Sequence, residues 1–261
     1  MNIRIVLLSD INREDVHSLW RASMDAYWPT CPFPVTIMDQ DTRLGWSRCL
    51  LNVLNSTEEE EILLWVDDNA LSRPVLVPDL ERCLRFFVGH GDVALLHVGR
   101  SHKEWWATDG GLIRIPELEP FAYYAQNLDH LTRAMVPHPA LWRKKALIQI
   151  TEREILTATP EQDDGWAGFY NWELGGGYVL LEHNWRAIVM IGDYTHDCPQ
   201  TPIFVCNAVR QGMGWTGCAY ELAERIGFTL NPVRGRAARA EEYPTPGSDK
   251  WRAAGHVRRH R

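Results

Sequence analysis

Apolar and polar residues alternate in blocks along the first hundred positions, and the blocks differ in period. Four short runs are apolar at nearly every position, which is typical of strands covered on both faces: 3–8, 35–38, 62–66 and 93–98. Between them, apolar residues recur at helical spacing, most clearly at Trp46, Cys49, Leu50, Val53 and Leu54. The order β-α-β-α-β-α-β predicts an α/β fold with a mostly parallel central sheet flanked by helices.

The remainder of the chain is less regular. Residues 112–115 predict a strand, 140–150 a helix, and the Gly-rich aromatic stretch 160–179 a loop. A final amphipathic helix covers 215–226, and Gly227 is its expected end.

These patterns predict one domain over residues 1–230. Its first half, 1–100, is the regularly alternating part, and its second half, 101–230, is irregular. Residues 231–261, rich in Pro, Gly and Arg, are expected to form a basic, flexible tail.

Composition narrows the class of protein. Of 261 residues, 45% are hydrophobic and 23% charged, as in globular proteins. No apolar run approaches the roughly 18 residues of a membrane span, and the N-terminus predicts a strand rather than a signal peptide. We therefore expect a cytoplasmic protein without a membrane span.

Charge and cysteine spacing exclude two further classes. The net charge is −7, although residues 231–261 carry eight Lys or Arg against three Asp or Glu. The rest of the chain is therefore acidic, which argues against a general nucleic-acid binder. The six cysteines form no CxxC pair, so buried thiols are favoured over a structural zinc site.

The strand predicted at 62–66 ends in Asp67, Asp68 and Asn69. Ligands of parallel sheets bind outside the carboxyl ends of the strands, where these side chains would stand, with Asp67 and Asp68 pointing to opposite faces. Carboxylate and amide oxygens suit Mg²⁺ or Mn²⁺, which is often completed by substrate phosphates. A plain turn or a helix cap is the alternative role of these residues.

The order of several short motifs resembles the GT-A class of glycosyltransferases, in particular small bacterial and phage-type members. The matching pieces are Gly45-Trp46-Ser47, the strand ending at Asp67-Asp68, residues 142–147, Trp172-Glu173-Leu174 and residues 208–215. The resemblance spans roughly residues 3–230 and implies a GT-A-like, Rossmann-like fold with an Asp-Asp metal motif. It also implies that the half 1–100 binds the nucleotide and that the half 101–230 faces the acceptor.

The resemblance also implies roles for particular residues. Those expected to bind the nucleotide-sugar are Ser9, Asp10, Asp39, Arg43, Trp46 and Asp67. The metal ligands would be Asp67, Asp68, Asn69 and a late histidine, for which His196 is the candidate. The general base would be Glu173, with Asp164 as the second choice. Helix capping and turn formation are the alternative roles for Ser9, Asp10 and Asp39.

The function predicted is metal-dependent transfer of a sugar from a nucleotide-sugar, with a UDP-sugar ranked first, to an acceptor hydroxyl. A glycan acceptor is ranked ahead of a modified base in DNA, which the basic tail and twelve tryptophans keep open. The alternatives from other classes are a nucleotidyltransferase or phosphohydrolase and a non-catalytic carbohydrate- or nucleic-acid-binding module.

Overall fold

The computed structural model describes residues 2–9, 13–39, 44–102, 112–119, 122–125, 127–135, 138–159, 165–191, 201–210 and 214–235. Short 3-10 helices lie at Pro116–Leu118 and Pro232–Arg234. Across these ranges, no helix has the length and apolar character needed to cross a membrane.

The described strands and helices alternate through the first hundred residues. The strands are β1 Ile3–Ser9, β2 Val35–Asp39, β3 Glu61–Val66, β4 Asn69–Leu71, β5 Val93–His102, β6 Leu112–Arg114, β7 Ala122–Ala125, β8 Ala140–Arg143, β9 Arg186–Ile191, β10 Val205–Asn207, β11 Val209–Arg210 and β12 Gly214–Trp215. The helices are α1 Glu14–Tyr27, α2 Trp46–Ser56, α3 Val77–Gly89, α4 Leu128–Ala134, α5 Lys144–Thr157, α6 Gly165–Glu182 and α7 Gly217–Ile226.

Eight of the described strands form the central sheet, in the order β2-β1-β3-β8-β5-β9-β7-β6. The pairings β1–β2, β1–β3 and β5–β9 are parallel, whereas β8 and β7 run antiparallel to their neighbours. Six of the eight strands therefore share one direction, which confirms the predicted α/β class with a mostly parallel sheet.

Both faces of the sheet are covered, because successive strand residues point to opposite sides. Ile5 and Leu7 of β1 pack with Trp20 of α1 and with α3, whereas Val6 and Leu8 pack with α2, α5 and α6 on the other side. A third apolar cluster joins α1, α7 and the small β4–β10 pair. The all-apolar runs predicted this double coverage correctly.

Two predictions for the second half are wrong. Residues 140–150 are not one helix, since Ala140–Arg143 forms β8 between β3 and β5 before α5 begins. A run as short as Ala140–Arg143, with three apolar residues, cannot be told from a helix by period alone. The stretch 160–179 is not a loop from Gly165 onward, because it forms α6; residues 160–164 lie outside the described part.

The packed chain continues past the final helix. Gly227 ends α7 with a left-handed φ of 68°, as predicted. Beyond it, the Arg234 guanidinium makes two hydrogen bonds to Asp15 of α1, at 2.7 and 2.6 Å. The backbone N–H of Trp215 donates to the Gly235 carbonyl at 3.0 Å. The segment 231–235 is therefore docked on the domain, and the predicted tail is described only to this point.

Candidate functional site

The ends of three neighbouring strands meet at one edge of the sheet. Ser9 of β1 is in register with Asp39 of β2, and Leu8 pairs with Val66 of β3. The Asp67 N–H donates to the Leu8 carbonyl at 3.0 Å, which extends the β1–β3 ladder one residue further. Ser9, Asp39 and Asp67 therefore form a row along the carboxyl ends of parallel strands, the edge at which α/β sheets bind ligands.

A tight turn at Asp67 and Asp68 ends β3 and starts β4. The Asn69 carbonyl accepts the indole N–H of Trp65 at 2.7 Å, and the Asp68 carbonyl accepts the Ala208 N–H at 2.6 Å. The turn corrects one expectation, because the alternation of an extended strand does not continue through it. Both carboxylates instead lie within reach of the same guanidinium, that of Arg13.

Asp67 is completely buried, with 0% of its surface exposed. The Ser9 hydroxyl donates to its Oδ2 at 2.8 Å, and Arg13 Nη1 lies 3.3 Å from its Oδ1. Burial raises the pKa of Asp67 to about 7, with the charge of Asp68 adding to the rise and Arg13 and Ser9 opposing it. The Asp67 carboxyl is thus poised to change charge near neutral pH.

Asp68 is the more exposed acid, with 22% of its side chain accessible. Its Oδ1 accepts the side-chain N–H of Asn69 at 2.7 Å, and its Oδ2 lies 3.5 Å from Arg13 Nη2. Because the Asn69 amide donates to Asp68, its oxygen faces the other way, 3.3 Å from Nδ1 of His138. In the tautomer with its hydrogen on Nδ1, His138 donates to this oxygen, and the chain of contacts then orients the Asp68 carboxylate.

Sequence reasoning missed both Arg13 and His138. Arg13 lies between β1 and α1, at the carboxyl edge of the sheet. Residues that follow a parallel strand at this edge are candidates for ligand binding, so its sequence position could have identified it. His138 precedes β8, which is antiparallel to β3, so it reaches the carboxyl end of β3. Assigning 140–150 to a helix concealed this placement.

The described carboxylates fit a hard divalent cation. In the described ranges, no three or more His, Cys, Asp or Glu side chains are grouped to hold a metal. Mg²⁺ and Mn²⁺ sites completed by phosphates need only one or two carboxylates, and this donor set is all oxygen. Oδ1 of Asp67 is buried without a hydrogen bond from the described residues, although it lies beside Arg13, so it has capacity for a cation. Asp68 is the more accessible of the two acids.

Trp46 does not lie where its predicted role requires. Its indole is 4% exposed and packs against Trp172, with ring centroids 5.4 Å apart, and Trp172 in turn packs against Trp142. These rings belong to the core between the sheet and α2, α5 and α6. The predicted contact of Trp46 with the nucleotide-sugar is therefore corrected to a structural role, since a ring enclosed in the core is not open to a ligand.

The remaining predicted site residues are only partly accounted for. Asp10, Arg43, Asp164 and His196 lie outside the described residues. Asp39 and Glu173 are placed by their backbones alone, at the end of β2 and within α6. Their proposed roles stay predictions.

The three glycines at 175–177 have a packing explanation. A Cβ on Gly176 would collide with the Met135 side chain, and one on Gly177 would lie 2.9 Å from Thr132 Cγ2 and 3.0 Å from its backbone nitrogen. These glycines therefore allow α6 to approach α4 closely. The predicted loop is thus a helix at these positions, and Gly176 and Gly177 serve its packing.

Comparison with known proteins adds little to this geometry. No family model and no curated protein matches the sequence. Among the solved structures that match is residues 1–349 of S. aureus TarS, with a TM-score of 0.41 and 11% identity. The match covers 73% of this chain but only 57% of the TarS chain. A TM-score of this size establishes neither a shared family nor a shared activity.

Proposed function

We propose that this protein is a metal-dependent glycosyltransferase that uses a nucleotide-sugar donor. The observation that carries the proposal is the pair Asp67 and Asp68, one buried and one accessible, at the carboxyl edge of a mostly parallel sheet. The order of motifs along the chain supports the same class. Metal dependence, donor and acceptor are all parts of the proposal.

The electrostatics of the site favour a ligand that brings both a cation and an anion. Two adjacent carboxylates, one of them desolvated, are stabilised by positive charge, which Arg13 supplies in part. A divalent cation bound to a diphosphate adds positive charge beside the acids and leaves the phosphates facing Arg13. A nucleoside diphosphate is therefore the leaving group that suits this edge.

Each described residue then has a task. Asp68 would hold the cation, oriented by the amide of Asn69. Asp67 would hold the Ser9 hydroxyl and, in the ligand-free protein, the Arg13 guanidinium. A divalent cation, when bound, neutralises charge that develops on a departing diphosphate. Glu173 or Asp164 would accept the proton of the acceptor hydroxyl.

A glycan is the acceptor we propose. The Arg-rich residues after 235, which kept a DNA acceptor open, lie outside the described part, so no described surface favours DNA.

The test is a donor-hydrolysis screen across UDP-, GDP-, CDP- and TDP-sugars, with and without Mn²⁺. We expect hydrolysis of one donor class that depends on Mn²⁺. Asp68→Asn should lower its rate about 100-fold or more, because a bound cation contributes several kcal/mol to stabilising the transition state.

Asp92→Asn is the matched control. Asp92 is an exposed, ion-paired acid before β5, at the opposite end of the sheet, so the rate should not change. Hydrolysis of a nucleoside triphosphate without sugar release would instead indicate a nucleotidyltransferase or phosphohydrolase. A thermal-unfolding assay with UDP, GDP, CDP and TDP accompanies the screen. If none of them shifts the melting temperature of the protein, with or without Mn²⁺, a binding module is indicated and the proposal fails.

A further inference from the structure

We propose that Arg13 occupies the cation subsite in the nucleotide-free protein and turns to the donor diphosphate when a divalent cation binds. The inference rests on the proposed function and names the residue that couples the two ligands. Arg13 is 8% exposed, and its two terminal nitrogens lie 3.3 Å from Asp67 Oδ1 and 3.5 Å from Asp68 Oδ2. One guanidinium therefore spans both acids.

Both contacts are longer than the distances of well-formed charge-assisted hydrogen bonds, which lie near 2.7–2.9 Å. For comparison, Arg234 reaches both oxygens of Asp15 at 2.7 and 2.6 Å. The guanidinium of Arg13 thus stands between two carboxylates without closing tightly on either. This is the position of a counter-ion that balances two negative charges.

A divalent cation and this guanidinium compete for the same oxygens. A cation bound to Asp68 would stand beside the guanidinium, and two positive charges repel strongly where water is excluded. Without nucleotide, the cation must displace Arg13 and should bind weakly. With a diphosphate present, the planar guanidinium gains an anionic partner that accepts two parallel hydrogen bonds, and both positive charges are retained.

The backbone allows this rearrangement without movement of the helix. The Arg13 carbonyl accepts the His17 N–H at 3.0 Å, which fixes the residue at the start of α1. The guanidinium is carried on a side chain with several rotatable bonds, so it can turn from the acids to a ligand at the same edge. Arg13 would then make cation and diphosphate binding mutually dependent.

Arg13→Gln distinguishes this proposal from a role for Arg13 in diphosphate binding alone. The proposal requires the substitution to change the Mn²⁺ affinity and the diphosphate affinity in opposite directions. In the full chain without nucleotide, we expect Mn²⁺ to bind about tenfold more tightly, measured by calorimetry or by the Mn²⁺ spin-resonance signal. With saturating Mn²⁺, the diphosphate that the wild-type protein selects from UDP, GDP, CDP and TDP should bind about tenfold more weakly.

Two variants serve as controls. Arg21→Gln removes an exposed arginine from α1, the helix that follows Arg13, and should change neither affinity. Arg13→Lys keeps the positive charge but cannot make the two parallel hydrogen bonds of a guanidinium. Mn²⁺ binding without nucleotide should therefore stay weak, while diphosphate binding becomes weaker than in the wild-type protein. Thermal unfolding of each variant confirms that the affinities refer to folded protein.

The outcomes also distinguish this inference from the proposed function. If Arg13→Gln weakens both ligands together, or changes neither, Arg13 is not the shared counter-ion, although the glycosyltransferase proposal survives. If the wild-type protein binds Mn²⁺ but none of the four diphosphates, both proposals are overturned. Tighter Mn²⁺ with weaker diphosphate binding supports the coupling.

Discussion

The carboxylate of Asp67 lies in an environment that opposes its charge. It is fully buried at the end of β3, next to a second acid, and burial is the main reason that its pKa rises to about 7. Ser9 and Arg13 reduce this cost but do not remove it. A residue that is costly for the free protein and placed at a ligand-binding edge is a functional candidate on physical grounds.

Replacing Asp67 by Asn should stabilise the protein at alkaline pH. A carboxyl whose pKa rises on folding stabilises the fold below its unfolded pKa, near 4, and this stability is lost as the pH rises towards 7. Above that range, Asp67→Asn should raise the free energy of unfolding by about 1–3 kcal/mol, with little gain at pH 4. Urea denaturation at pH 4, 6 and 8 measures this difference.

Asp92→Asn provides a control of opposite sign. The hydrogen bond from Arg186 holds the pKa of Asp92 below its usual range, so its contribution is present above pH 4 and lost in acid. Because Asp92 is largely exposed, the variant should lose only about 0.5 kcal/mol at pH 8. If Asp67→Asn changes the free energy of unfolding by the same amount at pH 8 and at pH 4, burial does not control the charge of Asp67.

Helix α6 shows how packing overrides local preference. Its sequence contains three consecutive glycines, which disfavour a helix by about 1 kcal/mol each. It nevertheless forms a helix over Gly165–Glu182, with Trp172 completely buried and its indole N–H donating to Thr151 at 3.2 Å. The glycines on the face against α4 remove the Cβ atoms that would separate the two helices.

Gly177→Ala should therefore destabilise the protein although alanine favours helices. The new Cβ would press on the backbone of Thr132, which cannot move as a side chain can. We expect the free energy of unfolding, measured by urea denaturation, to fall by about 1–2 kcal/mol, because overpacking outweighs the gain in helix propensity.

Gly89→Ala is the matched control, because it ends α3 with no atom within 4 Å of the added Cβ. It should leave stability unchanged or raise it slightly. Equal effects of the two substitutions would show that α6 does not depend on close approach to α4.

At the scale of the whole molecule, the first helix is tied to the last described segment. Asp15 of α1 and Arg234 are 219 positions apart, and the Arg234 guanidinium also lies over the Trp215 ring, 5.5 Å from its centroid. Burial raises the pKa of Asp15, but Arg234 outweighs it and holds the net pKa below its ordinary value. The tie fixes the start of α1, two residues from Arg13.

A double-mutant cycle measures this tie. Asp15→Asn and Arg234→Ala should each destabilise the protein, with a coupling of about 1 kcal/mol because the pair is partly buried and doubly hydrogen-bonded. The exposed pair Asp79 and Arg82 is the reference, with an expected coupling of about 0.3 kcal/mol. Equal couplings in the two cycles would mean that the segment 231–235 is not held by this contact.

The sequence by itself determined the first hundred residues and the location of the acid pair. There the period of apolar residues is unambiguous, and both faces of each strand are covered, so local pattern and tertiary packing agree. Asp67 and Asp68 were placed at the ligand edge because an apolar strand must end where the core ends. The apolar pattern and the strand topology are enough to place residues at the end of a strand.

Only the tertiary structure decided the elements of the second half and the partners of the acid pair. The run at 140–143 became β8 because a gap between β3 and β5 accepts one short antiparallel strand, and α6 formed because glycines fit it against α4. The same insertion brought His138 to Asn69, and the β1–α1 loop brought Arg13 between two acids. Contacts between residues far apart in sequence leave no periodic trace, since they depend on where whole elements pack.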